Sequence, residues 1–182
     1  MLEGFRRNIG ERLLKKEITT NARVVVAKNF SNIQKLGIVF NVEDESSFKI
    51  VKKLIQLYRE EGIKKVKALG YYDGKVSPHY LLPSLDFDFI NKKDLTWYYK
   101  PEGVAVENFT TDNFDVLIDV VDVDCFPMKY LVASAVAKLK IGKYSDSKQE
   151  FYDLMIDVSE NNEIDYFIDQ VNHYLNMLNK TE

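Results

Sequence analysis

A single cysteine, Cys125, has nothing to pair with inside the chain, so no internal disulfide supports the fold. Two histidines, His79 and His173, are too few and too far apart for a His/Cys metal centre. No apolar run reaches the length of a membrane span. The charged N-terminus has no apolar signal-peptide core, and a cytoplasmic location is the expectation. Phosphate loops are missing too. A dinucleotide fold would place G-x-G-x-x-G after its first strand. Here that stretch reads Phe40-Asn41-Val42-Glu43-Asp44-Glu45-Ser46, with three acids and no glycine. Carboxylates there repel phosphate and suit the dipole of a following helix. The Walker pattern is also absent, so neither NAD, FAD nor ATP is expected, and no cofactor of any kind. Basic surplus is lacking as well: 25 basic residues stand against 28 acidic, a net charge of −3, which argues against nucleic acid.

What is present is a core. The chain has 182 residues, 46% of them hydrophobic and 13% aromatic, enough for one well-packed domain. Charge is unevenly spread. Seven basic and three acidic residues fall in the first 28 positions, so a basic arm precedes an acidic body. Residues 1–32 read as this arm with its connector, and residues 33–182 as the domain.

Within the arm, residues 2–16 have a helical period, with Leu2, Phe5, Ile9 and Leu13 on one stripe. Isolated helices of this length are marginal in water, so the stripe should pack on the same subunit or on a second copy. An unidentified protein partner or a homodimer is the expected use, and an anionic membrane surface the lesser alternative. Val24-Val25-Val26 could add a short edge strand.

The body is organised around Phe114–Val120, where three strand-favouring apolar residues, Val116, Leu117 and Ile118, are bracketed by aspartates. It reads as a strand buried on both faces. An apolar helical run at 126–137 and a strand at Leu139–Gly142 make it a βαβ unit. Further strands are expected at Leu36–Phe40, Val66–Tyr72, Phe87–Ile90 and within Tyr152–Val158. That last stretch repeats the aromatic-Asp…Ile-Asp-Val pattern of 114–120. The clearest helices are 44–61, with Ile50, Val51, Leu54, Ile55 and Tyr58 as the buried stripe, and 163–178. Leu95–Tyr99 reads as an edge strand or a packed loop, and 104–111 is ambiguous. The sum is α/β: a single three-layer Rossmann-like domain with a mainly parallel sheet, strand order 3-2-1-4-5-6, and an N-terminal helical arm. The first and fourth strands should lie side by side.

Leu36–Asn41, Leu69–Tyr72, Phe87–Phe89, Asp94–Trp97, Phe114–Val120 and Phe126–Tyr130 through Gly142–Tyr144 resemble a bacterial family of short α/β proteins, a domain of unknown function. That likeness covers most of the chain and implies no activity. More distantly, Phe114–Val120 with Ala133–Gly142 is similar to part of the N-terminal half of heptosyltransferase-like glycosyltransferases. Those enzymes use two Rossmann-like halves and hold their nucleotide sugar mostly in the second, which has no counterpart here. The likeness implies fold and not catalysis.

A ligand in such a fold sits at the strand C-termini, so the crevice candidates are Asn41, Asp73, Asp119, Asp122, Asp124 and Cys125. Asp119, Asp122 and Asp124 could hold a hard cation through oxygens. They could equally cap the next helix, which is the preferred reading, and no metal is expected. Cys125 stands where a helix begins, a position that can lower a thiol pKa. Its only loop histidine for a base is His79. Tyr71, Tyr72, Tyr80, Trp97, Tyr98 and Tyr99 are read as core and edge packing, with a partner surface second. Two functions remain: a non-catalytic adaptor or interaction protein, or a small enzyme or ligand binder working in the crevice.

Overall fold

Among the residues described by the computed structural model (2–20, 23–121 and 124–178), six strands form one sheet. They are β1 (Lys35–Val42), β2 (Lys65–Tyr72), β3 (Phe87–Asn91), β4 (Phe114–Asp119), β5 (Ala137–Lys143) and β6 (Leu154–Ile156). Their order is β3-β2-β1-β4-β5-β6, as the sequence predicts, and every pair is parallel. Leu36 faces Val66 on one side and Val116 on the other, and Ile38 lies between Ala68 and Ile118. All six residues of β4 are buried, which explains its unbroken apolar run.

Two apolar layers cover the sheet. On one face α2 (Glu45–Glu60) and α5 (Ile164–Met177) bring Val51, Leu54, Ile55, Tyr58, Phe167 and Val171 against Leu36, Ile38 and Phe40. On the other, α1 (Leu2–Thr20), α3 (Val104–Thr110) and α4 (Phe126–Ser134) pack Leu14, Phe109, Met128 and Leu131 against Val39, Leu69 and Leu117. Alternate residues of β1 therefore enter opposite cores. Gly37 permits this closeness: a Cβ there would sit 2.9 Å from the Leu117 and Phe114 side chains.

The acids after β1 are structural. Asp44 caps α2, accepting the Ser47 amide at 2.8 Å while the Ser47 hydroxyl accepts the Asp44 amide at 3.2 Å. The chain leaves α2 through Gly62 at φ +95°, where a side chain would be strained.

Several expectations change in detail. Ile50, read as core, is 37% exposed at the margin of the α2 stripe. The ambiguous 104–111 stretch is helix α3, and Leu95–Tyr99 is a turn closed by a Leu95–Pro101 bridge, with Tyr99 left-handed. Val24–Val26 makes no strand; only the Val26 amide reaches the sheet, at the Lys138 carbonyl.

The largest correction concerns α1. Of the two packings expected, the one on the same subunit does not occur, since Leu2, Phe5, Ile9 and Leu13 are not the face docked on the body: Leu2 and Phe5 are well exposed, Leu13 is exposed, and Ile9 is half-buried. The helix docks instead through Gly10 and Leu14. A Cβ at Gly10 would stand 2.5 Å from the Tyr98 carbonyl oxygen and 2.7 Å from the Phe126 ring. Glycine thus lets the two backbones and α4 approach, and the Tyr130 hydroxyl donates to the Gly10 carbonyl. Close packing beats apolar content in choosing the face.

Candidate functional site

The sheet order reverses between β1 and β4, so neighbouring connections leave to opposite faces and open a crevice above the strand C-termini. A cleft of about 1550 Å³ lies there. Asn41 and Val42 from the end of β1 and Tyr71 and Tyr72 from β2 line it. The Asp124–Pro127 segment at the start of α4 forms one wall, and the Leu95–Tyr99 turn contributes Trp97 and Tyr99. Glu3, Arg6 and Arg7 from the first turns of α1 also line it, as do Asp73, Lys75 and Lys92.

Arginine holds α1 in this place. Arg6 donates to the Trp97 carbonyl and lies 4.7 Å from the centre of the Tyr99 ring. Arg7 sits 5.1 Å from the Phe126 ring centre and 3.5 Å from the Asp124 carboxylate. Cation–π contacts of this sort add stabilisation beyond the charge pairing.

The predicted crevice residues separate into two groups. Asn41, Asp73, Asp124 and Cys125 line the cleft. Asp119 does not: it is buried beneath, accepting the Tyr152 hydroxyl and, at 2.9 Å, the amide of Val121. Asp122 lies outside the described residues. Asp124 pairs with Lys129 at 2.6 Å, which holds its carboxyl below the usual range against the opposing effect of burial. Asp73 pairs with Lys92 at 2.9 Å and accepts the Tyr71 hydroxyl at 2.9 Å; the Lys92 contact is the main reason its pKa is lowered. Among the described residues no group of three His, Cys, Asp or Glu side chains is arranged to hold a metal ion.

Cys125 precedes α4, as the sequence predicts, without behaving as a helix-start thiol. Burial pushes the thiol up to about 11; the Met128 amide opposes this, and the carboxylates of Asp119, Asp73 and Asp124 add to the rise. His79 is occupied elsewhere, its ring edge-on to Tyr80 with centroids 5.6 Å apart, and it is not part of the cleft lining. One polar atom of the cleft residues is unsatisfied. The Asn41 Oδ1 is buried and has no hydrogen-bond partner among the described residues.

Sequence reasoning missed Arg6, Arg7, Lys75 and Lys92, and placed Trp97 and Tyr99 in general packing. The only signal was their cationic and aromatic character; nothing local in the sequence brings position 6 beside position 97.

No curated protein and no solved structure matches the chain. The profile of one family matches residues 6–178, from the first turns of α1 to the end of α5, so it spans the sheet, the cleft and both helical layers. On that match the chain belongs to DUF6913, a family of unknown function.

Proposed function

We propose that this protein is a non-catalytic interaction protein, working in the cytoplasm, which presents α1 and the adjoining cleft to a partner. The observation that carries this reading is the state of the cleft's one candidate nucleophile. With its pKa pushed up to about 11, Cys125 is a thiol at neutral pH. The nearby acids Asp73 and Asp124 are tied to lysines, so neither is a free general base. The pH profile of alkylation of Cys125 by iodoacetamide tests this directly, because no other cysteine reports. Labelling should be slow at neutral pH and rise only in the alkaline range. Rapid labelling governed by a pKa below that of a free cysteine, about 8.5, would overturn it.

A second reading, a small-ligand binder or enzyme in the crevice, draws on the unpartnered Asn41 Oδ1 and the volume of the cleft. A glycosyltransferase-like half would use the same crevice. A small molecule retained in a native mass spectrum of the purified protein, released on denaturation, would carry that reading.

A further inference from the structure

The N-terminal ends of the strands carry more lysine than their acids need. Asp112, just past α3, has Lys65 at 2.6 Å, Lys67 at 3.1 Å and Lys35 at 3.6 Å from its carboxylate oxygens. Asp115, at the start of β4, has Lys28 at 2.7 Å and Lys138 at 2.9 Å. Lys35 joins the two groups, since its amide also donates to Asp115 at 3.2 Å. Five ammonium groups thus share two carboxylates, a surplus of three positive charges in a chain whose net charge is −3. Other acids near this end are engaged or set apart. Asp153 is taken by Arg23 and Asp86 by Arg59. Glu107 lines a separate hollow with Lys100 and Tyr130. Glu60 and Glu61 end α2 on the other face: Val66 and Ala68 enter the α2 core, so Lys65 and Lys67 alternate to the α3 side.

The layering matters as much as the count. The Asp112 and Asp115 side chains are each 7% exposed, while the five lysine side chains are 23–44% exposed. The anions lie beneath and the cations above, so the face shown to solvent is positive. One carboxylate compensates one charge, yet Asp112 holds the ammonium groups of Lys35, Lys65 and Lys67 close together against their mutual repulsion. A compact anion of high charge would relieve that repulsion, and the groups that would meet it are already in place. Lysine binds phosphate as a point charge and does not need the planar fork with which arginine grips a carboxylate. We propose that the lysine cluster over Asp112 and Asp115 is a binding site for a multivalent phosphate anion, with one phosphate bridging Lys35, Lys65 and Lys67 and another reaching Lys28 and Lys138. The site lies at the opposite end of the sheet from the cleft and goes beyond the function assigned there.

Titration calorimetry of the full chain with sodium tripolyphosphate at low ionic strength tests this. Saturable binding is expected, weaker as salt rises, and the ligand should raise the melting temperature. Lys35→Gln with Lys65→Gln leaves Lys67 on Asp112, and binding should fall about tenfold. Lys52→Gln with Lys53→Gln, on the exposed side of α2, makes the same change in net charge elsewhere and should leave binding unaltered. In the native chain, tripolyphosphate should protect Lys35, Lys65 and Lys67 from acetylation by acetic anhydride while Lys52 and Lys53 stay reactive, as read by peptide mass spectrometry. This second measurement does not depend on any variant folding. The absence of saturable binding overturns the proposal. So does binding without that protection, or equal weakening by the two glutamine pairs, which would reduce the effect to net charge. A hexaglutamate peptide that binds more tightly than tripolyphosphate also overturns it and assigns the face to an acidic protein segment. The labelling profile of Cys125 bears on none of these outcomes, so this site and the reading of the cleft fail separately.

Discussion

The two ends of the sheet carry similar residues in opposite circumstances. At the N-terminal end of the strands the aspartates are sunk into the protein. Asp115 accepts Lys28 at 2.7 Å, Lys138 at 2.9 Å and the amides of Gln34 and Lys35 at 2.9 and 3.2 Å. Asp112 is ringed by Lys35, Lys65 and Lys67. Asp153 pairs with Arg23 at 2.7 Å and accepts the Lys140 amide at 2.8 Å. At the C-terminal end, the acids Asp73 and Asp124 have side chains 71% and 56% exposed, and each pairs with one lysine, Lys92 and Lys129. Buried, multiply bonded charges fix strand register and are costly to break. Exposed pairs contribute little and can exchange partners. The lower end is built to hold the sheet, and the upper end is free to change its contacts.

The largest expected effect tests the lower end. Asp115→Ala strands Lys28 and Lys138 and leaves two backbone amides without their acceptor. The cost should be roughly 3 kcal/mol, the lower part of the range for breaking a buried pair because the lysines reach solvent. Denaturant melts would measure it, and a loss under about 1 kcal/mol would erase the contrast between the two ends. Acid supplies the sign. Burial alone would raise the Asp115 pKa, but Lys28, Lys138 and the two amides outweigh it and hold the carboxyl far below the ordinary carboxylate range. A depressed folded pKa gives stability that is complete above the unfolded value, about 3.9, and drains as pH falls below it. The gap between native protein and variant should therefore close under acid.

The repeated pattern in the sequence has its meaning at these two ends. In Phe114–Val120 and Tyr152–Val158 the first aspartate accepts a backbone amide of the neighbouring strand, Lys35 at the start of β1 for Asp115 and Lys140 within β5 for Asp153. The second closes the exit turn two residues on, Asp119 on Val121 and Asp157 on Ser159, both at 2.9 Å. Strands, their order and the crevice at Asn41, Asp124 and Cys125 were legible because burial on both faces and parallel topology leave local marks. The docked face of α1 was not. Hydrophobic period pointed to Leu2, Phe5, Ile9 and Leu13, while the decisive residue was Gly10, whose value lies in the absent side chain. Arg6, Arg7 and Trp97 were illegible as site residues for a related reason: their meeting depends on that docking.

Tyr152→Phe sharpens the comparison from between the ends. Asp119 lies at the top of β4 yet is buried like the lower aspartates, and Tyr152 donates to it. Removing the hydroxyl deprives a buried acceptor while leaving the ring over Gly142. A loss of about 2 kcal/mol is expected in thermal or denaturant melts. Burial, reinforced by the Asp119 charge, raises the Tyr152 pKa well above the ordinary phenol value. A raised folded pKa gives stability that is complete below the unfolded value, about 10, and is lost above it. The native protein should lose this increment in alkali, and the variant has none to lose. If the variant matches native stability at neutral pH, burial at the upper end does not have the weight assigned to it at the lower.

The smallest effect is the most telling for the cleft. Asp73→Asn removes the charge facing Lys92 but keeps an oxygen able to accept the Tyr71 hydroxyl. The pair is exposed, so the change should cost under about 1 kcal/mol and shrink further with added salt. Its consequence lies in electrostatics: Lys92 loses its counterion, and the cleft gains one unit of positive charge beside Arg6, Arg7 and Lys75. A carboxylate removed from near Cys125 should also lower the thiol pKa, because the Asp73 charge is one of the influences raising it. The alkylation profile of Cys125 should shift slightly toward neutral pH while the melting curve barely moves. A large stability loss with no shift in that profile would mean that Asp73 holds the fold as Asp115 does, and the two ends of the sheet would then be built alike.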